Sequence, residues 1–197
     1  GIWSVKDGVI RGETTLSHLA FSNTFLIWKG GDVRDFELKI KFRIHSGNSG
    51  IQYRSRDLGK HAVAGYQAEI ENHPGKVGFL YEEKGRKSLA LVGEMVRFDK
   101  AGKRNVIGSI APKEDYIQKG YYRSRDWNEY HIIARGNYIT HYLNGFQTIE
   151  LVDLAPTARA KGVLALQIHA GPPMLVEFKD IFLKTLPPTP HSSQPQQ

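Results

Sequence analysis

The sequence predicts an all-β fold, an antiparallel sandwich or barrel, on three observations. Residues 36 to 44 alternate strictly, with Phe36, Leu38, Ile40, Phe42 and Ile44 on one face and Glu37, Lys39, Lys41 and Arg43 on the other, the period of a strand that covers a core on one side only. The same alternation, rich in β-branched and aromatic residues, recurs along the chain, and turn signals separate the runs. No stretch of about ten residues carries a helical period, which leaves many short strands at close spacing.

In chain order, Asp7-Gly8 marks a first turn and Gly30-Gly31-Asp32 precedes the strand at 36–44. Gly47-Asn48 leads into Ile51 to Arg54, and Tyr66 to Glu71 follows before the turn His73-Pro74-Gly75. From 82 to 126 the chain is charged and glycine-dotted, patterned only at Ser88 to Val92 and Glu94 to Phe98. Such an insertion reads as a surface feature framing a site. Tyr130 to Arg135 and Tyr138 to Leu143 are strands joined through Arg135-Gly136-Asn137, and Asn144-Gly145 is a further turn signal. Val163 to His169 and Val176 to Leu183 flank Gly171-Pro172-Pro173. Residues 1–186 thus read as one domain, and 187–197, with Pro187, Pro188, Pro190 and Pro195 among Ser and Gln, as a linker or tail able to join a further module.

Composition narrows the function. With 40% apolar and 11% aromatic residues in 197, the chain can close a core. No apolar run approaches the roughly 20 residues of a membrane-spanning helix. The absence of cysteine excludes disulfides, thiolate zinc sites and cysteine nucleophiles together. The first residue is Gly1 rather than Met, so the chain is read as trimmed or processed, with any signal peptide out of view. The net charge of +7 raises nucleic acid as a partner. The basic residues are interleaved with acids, as in Arg34-Asp35-Phe36-Glu37 and Arg123-Ser124-Arg125-Asp126, so the expectation is a solvated face and no nucleic-acid partner.

The informative feature is the non-core face of three strands. If Ile51 and Tyr53 point inward, Gln52 and Arg54 point away; by the same logic Gln67, Glu69 and Glu71 share the outer face of their strand, and Gln167 and His169 share theirs beside Ala165. Gln donates and accepts, Arg donates a planar fork and Glu accepts from hydroxyls or takes a proton, which suits a polyhydroxylated ligand. A wet sheet face with cross-strand Arg–Glu pairs is the plainer alternative. His141, between Ile139 and Leu143, also fits a satisfied, partly buried histidine. Glu69 and Glu71, about 6 to 7 Å apart on one strand, approach the spacing of a retaining glycosidase. The Glu-x-Asp-x-x-Glu pattern of β-sandwich glucanases is not completed in Glu69-Ile70-Glu71-Asn72-His73-Pro74, so hydrolysis by two carboxylates is disfavoured.

Six segments in order carry a resemblance: Asn48-Ser49-Gly50-Ile51-Gln52-Tyr53-Arg54, Gly65-Tyr66-Gln67-Ala68-Glu69-Ile70, Pro74-Gly75-Lys76-Val77-Gly78, Trp127-Asn128-Glu129-Tyr130, His141-Tyr142-Leu143-Asn144-Gly145, and Gly162 through His169. From Trp3 to about Leu186 the chain resembles the 3-keto-disaccharide hydrolase domain family. The resemblance implies a concanavalin A-like jelly roll with the site on a concave sheet, in secreted or periplasmic bacterial proteins, and a glycoside substrate oxidised at C3 of its glucose ring. Cleavage of that ketosugar, by hydrolysis or by elimination followed by hydration, needs one base for the acidified C2 proton, donors for the developing oxyanion and a donor for the leaving oxygen.

On that reading Glu69 is the leading base and Arg54 the oxyanion stabiliser. His141 or His169 assists the leaving group, and Asn48, Gln52, Gln67, Glu71 and Gln167 bind substrate; exchange of the Glu and His roles fits equally well. The segment from Glu82 to Asp126 is expected to wall one end of the site. No cofactor is predicted. A divalent metal held by Glu69, Glu71 and a histidine is the alternative electrophile, without a ligand spacing to support it. The competing function is a non-catalytic carbohydrate-binding module, which would lean on exposed aromatics such as Tyr53, Tyr81 or Tyr122.

Overall fold

The alternating runs pair into two sheets. The computed structural model describes residues 1–188, in the order β1 (Trp3–Lys6), β2 (Val9–Glu13), β3 (Thr24–Ile27), β4 (Phe36–Ser46), β5 (Asn48–Gly59), β6 (Ala62–Glu71), β7 (Leu80–Glu83), β8 (Lys87–Ala90), β9 (Glu94–Phe98), β10 (Arg104–Ser109), α1 (Lys113–Gln118), β11 (Asn128–Arg135), β12 (Tyr138–Leu143), β13 (Phe146–Asp153), β14 (Val163–Ile168) and β15 (Leu175–Thr185). The larger sheet has the order β1-β2-β15-β4-β11-β12-β13-β9-β10 and the smaller β3-β14-β5-β6-β7-β8. This is a jelly-roll sandwich, antiparallel except where β13 runs parallel to β9. Of the 187–197 tail, all but Pro187 and Pro188 lies outside the described residues. Among the described residues no helix is long and apolar enough to cross a membrane.

The core lies between the sheets. Phe36, Leu38, Ile40, Phe42 and Ile44 of β4 face Ile51, Tyr53, Tyr66, Ala68, Ile70, Leu166 and Ile168 of the smaller sheet. Each large apolar side chain so buried contributes on the order of 1.5–3 kcal/mol. The β12–β13 turn is set by Asn144 and Gly145, both in the left-handed region at φ 49° and 84°, the conformation of a two-residue hairpin whose twist matches its strands. Asn144 also donates from Nδ2 to the Tyr121 carbonyl at 2.9 Å and to Asn128 Oδ1 at 2.8 Å, tying the segment before β11 to the sheet.

The segment from 82 to 126 is no surface insertion. β8 extends the smaller sheet, while β9 and β10 complete the edge of the larger one. Arg104 of β10 pairs with Glu94 and donates from Nε to the Leu89 carbonyl at 2.9 Å. The patterned pieces at Ser88 to Val92 and Glu94 to Phe98 mark β8 and β9, whereas β10 carries too weak an alternation to stand out.

The β5–β6 hairpin matters most for the site. Arg54 sits at φ 48° and the register with β6 shifts between Tyr53 and Arg56, a bulge that bends the hairpin. Although β14 lies between β3 and β5 in the sheet, the hairpin tip reaches β3, where the Phe25 N–H donates to the His61 carbonyl at 2.9 Å. Phe25, Val63 and Ala165 form a small apolar cluster under this arch, on the outer face of the sheet. One end of that face is therefore roofed.

Candidate functional site

Beneath the arch, polar side chains of β5, β6 and β14 form a directed chain. The Ser55 hydroxyl donates to Gln52 Oε1 at 2.6 Å, Gln52 Nε2 to Gln67 Oε1 at 2.6 Å, and Gln67 Nε2 to Glu69 Oε2 at 2.7 Å. Asn48 Nδ2 completes it by donating to Glu69 Oε1 at 2.6 Å. Opposed register places Gln52 across from Gln67 and Gly50 across from Glu69, so the side chains lie flat over neighbouring strands. Gly50 makes the room: a Cβ there would come within 2.4 Å of Gln67 Cγ and Cδ. Gly50→Ala is therefore expected to displace Gln67, at a cost of about 1–3 kcal/mol for the unsatisfied amide, read as a lowered midpoint in thermal unfolding.

Glu69 is only 5% exposed. From the core side, Tyr130 Oη donates to its carbonyl at 2.6 Å, fixing the strand below the carboxylate. Burial pushes its pKa up to about 7, against the hydrogen bonds from Asn48 and Gln67 and with help from the charges of Glu71 and Glu83. All the amide dipoles of the chain point the same way, which strengthens each bond in a low-dielectric setting. A carboxylate poised near neutrality and buried among donors can take a proton from carbon. The Gln167 carboxamide joins through Oε1, which accepts from Gln67 Nε2 at 3.3 Å.

Glu83, which the sequence reading left in a loop, shares this face with Tyr81, expected there as an exposed aromatic. Register sets Tyr81 opposite Gln67 and Glu83 opposite Gly65. Burial raises the pKa of Glu83, opposed by a hydrogen bond to Asn23 and the charges of Lys84 and His169. Tyr81 stands edge-to-face with Phe79, ring centroids 6.4 Å apart. The alternation Leu80-Tyr81-Glu82-Glu83 held this signal, with Leu80 as the core residue.

Beyond Asn48 the face opens into a cleft of about 530 Å³ lined by His45, Asn48, Glu71, His73, Arg125 and His169. His169 is exposed, and its Nδ1 lies 2.6 Å from the Ala170 carbonyl. Nδ1 therefore carries the proton and Nε2 is left as an acceptor. Of the segment expected to wall the site, Arg125 lines this cleft.

The model of 3-keto-alpha-glucoside-1,2-lyase-like domains matches residues 1–184. The chain belongs to this family. No curated protein matches it. Among solved structures, it is similar to a Parabacteroides distasonis protein provisionally named a glycosyl hydrolase, at 19% identity and TM-score 0.59 over 94% of this chain and 90% of that one. It is also similar to the carbohydrate-binding module CBM66 of Bacillus subtilis, at 15% identity and TM-score 0.60 over 94% and 92%. A Bacillus subtilis protein of galectin-like fold aligns at 11% identity and TM-score 0.60 over 93% and 86%. At these identities the likeness establishes the fold alone.

For the lyase-like domain, the structure separates the expected site residues. Asn48, Gln52, Gln67, Glu69 and Gln167 are brought together, and Asn48, Glu71 and His169 line the adjoining cleft. Arg54 is not on this face. The bulge turns it to the end of the sandwich, where it is 1% exposed and pairs with Asp35 at 3.0 Å. Its Nε and Nη1 donate to the carbonyls of Arg34 and Gly136, each at 2.6 Å. His141 is likewise placed elsewhere, fully buried in the core with Nε2 2.7 Å from Tyr53 Oη. Burial lowers its pKa to about 3, so it stays neutral and touches no ligand. Tyr53 and Tyr122 are buried as well, leaving Tyr81 as the aromatic of that trio on the outer face. Among the described residues no three His, Asp or Glu side chains converge as metal ligands, and the set Glu69, Glu71 and a histidine is not gathered.

Proposed function

We propose that the domain cleaves the glycosidic bond of a 3-keto-glycoside, with Glu69 as the base. The observation that carries this reading is a buried carboxylate poised near pH 7 at the end of a donor chain, in a chain of the 3-keto-alpha-glucoside-1,2-lyase-like family. Substrate enters the cleft and displaces the Asn48 amide from Oε1. Glu69 then removes the C2 proton, the C–H electrons form the enediolate with the C3 ketone, and the C1–O bond breaks with its pair on the aglycone oxygen. The Gln167 amino group faces the developing oxyanion, and the proton taken up by Glu69 passes to the departing aglycone oxygen through a water held at His169 Nε2. Water added across the resulting double bond gives the hydrolysed sugar. A secreted or periplasmic location goes with this reading.

The test is incubation with a 3-keto-glucoside and with its unoxidised parent, following aglycone release and deuterium uptake at C2. Release from the keto form alone, with exchange, is expected. Because the base must be ionised, kcat/KM is expected to rise about tenfold per pH unit below about 7 and to level off above it. A flat profile from pH 5 to 8 would argue against Glu69 as the base. The second reading is a carbohydrate-binding module, favoured by the occupation of both Glu69 oxygens by protein donors. Glycan binding without release or exchange on any keto-glycoside would select it.

A further inference from the structure

We infer that the opposite end of the sandwich holds a second binding site, for an oxyanion group. A cavity of about 540 Å³ opens there, walled by Arg34, Lys100, Arg159, Gly136, Asn137 and Pro188. β4 separates it from the cleft: Asp35 borders the cavity just before the strand begins and His45 borders the cleft near its end, about 30 Å apart at strand rise.

The charges of this wall do not cancel. Its carboxylates are already engaged: Asp35 by the buried Arg54, and Asp153 by a two-pronged contact with the partly buried Arg86 at 2.9 and 2.6 Å. Glu82 receives Arg86 Nε at 2.6 Å. Arg34 and Lys100 are exposed, with no carboxylate in ion-pair range among the described residues. Arg159 is held by its backbone, whose N–H donates to Tyr66 Oη at 2.9 Å, while Tyr66 Oη donates to Asp153 at 2.5 Å. Its side chain is only loosely held: Nε is buried without a hydrogen-bond partner and forms a long ion pair with Glu82 at 3.8 Å.

Arg34 and Lys100 lack a carboxylate and Arg159 is only loosely paired, so an excess of two positive charges surrounds a walled cavity, which matches a sulfate, phosphate or sugar carboxylate. The fork of Arg159, anchored through its own main chain, would take two oxygens of such a group. Arg34 and Lys100 would supply long-range attraction at the rim.

The experiment is titration of the full chain with inorganic phosphate, inorganic sulfate and a glucuronate disaccharide at matched ionic strength, read by calorimetry and thermal unfolding. Saturable binding by wild type is expected. Arg34→Gln/Lys100→Gln, which alters two exposed side chains, is expected to weaken it about tenfold, and Arg159→Gln at least as much. Tighter binding of the disaccharide identifies a sugar acid as the ligand, and equal or tighter binding of the inorganic anions a free oxyanion. Absence of saturation in wild type, or the same stabilisation in the wild type and the double variant, as a general salt effect gives, overturns the proposal.

Discussion

Glu69→Gln is expected to lower aglycone release from a 3-keto-glucoside by about 10²–10⁴-fold, the range that a positioned general base supplies, with KM little changed. Deuterium uptake at C2 should fall in parallel, since both need the same proton transfer. The same variant is expected to be more stable than wild type above neutral pH. Glu69 titrates at about 7 when folded and near 4.5 when exposed, so folding binds its proton more tightly. The wild type carries no penalty below pH 4.5, loses stability as pH rises from 4.5 to 7, and bears the full cost above 7, about 3 kcal/mol at most. Glutamine sets an amino group against one of two donors; Asn48, half-buried at the cleft edge, can turn its amide to accept. Thermal midpoints across pH 4 to 8 should therefore decline for wild type and run flatter for Glu69→Gln. Retained turnover in the variant would remove Glu69 from the chemistry, and superimposable midpoint curves would remove the argument from burial.

Much of the fold was legible because a strand's period reports one thing, which face a side chain takes. That sufficed for β4 and for the outward set Gln52, Gln67, Glu69 and Gln167, whose strands keep register where these residues lie. It failed at Arg54 because one residue in the left-handed region resets the alternation, and Ile51-Gln52-Tyr53-Arg54 carries no Gly or Asn to announce it. His141 was the reverse case, since its neighbours Ile139 and Leu143 in the same period already marked the inner face. Glu83 escaped because a four-residue strand entering a charged stretch looks like the start of a loop. The arch of the β5–β6 hairpin over the face is a tertiary contact between Phe25 and His61. No local pattern encodes it.

Arg54→Met is expected to destabilise the domain by about 3–5 kcal/mol, the cost of removing one partner of a buried ion pair. Asp35 keeps the Gly136 N–H at 3.0 Å but loses its cation, in a site where Arg54 is almost wholly buried. The carbonyls of Arg34, Gly136 and Arg159, from three separate stretches of chain, lose a shared donor at the same time. Against a typical total of about 5–15 kcal/mol, such a loss lowers the unfolding midpoint by about 10 °C or more. Arg54→Lys restores the charge but not the planar fork that reaches several acceptors at once, so it should recover only part of the stability. The measurement separates the two roles this residue could hold. If Arg54 holds the end of the sandwich and bends the hairpin, both variants, assayed cold where they remain folded, keep kcat/KM within about threefold of wild type while their midpoints fall. A large loss of kcat at an unchanged midpoint would instead return Arg54 to the oxyanion, and would require the hairpin to unbend when substrate binds.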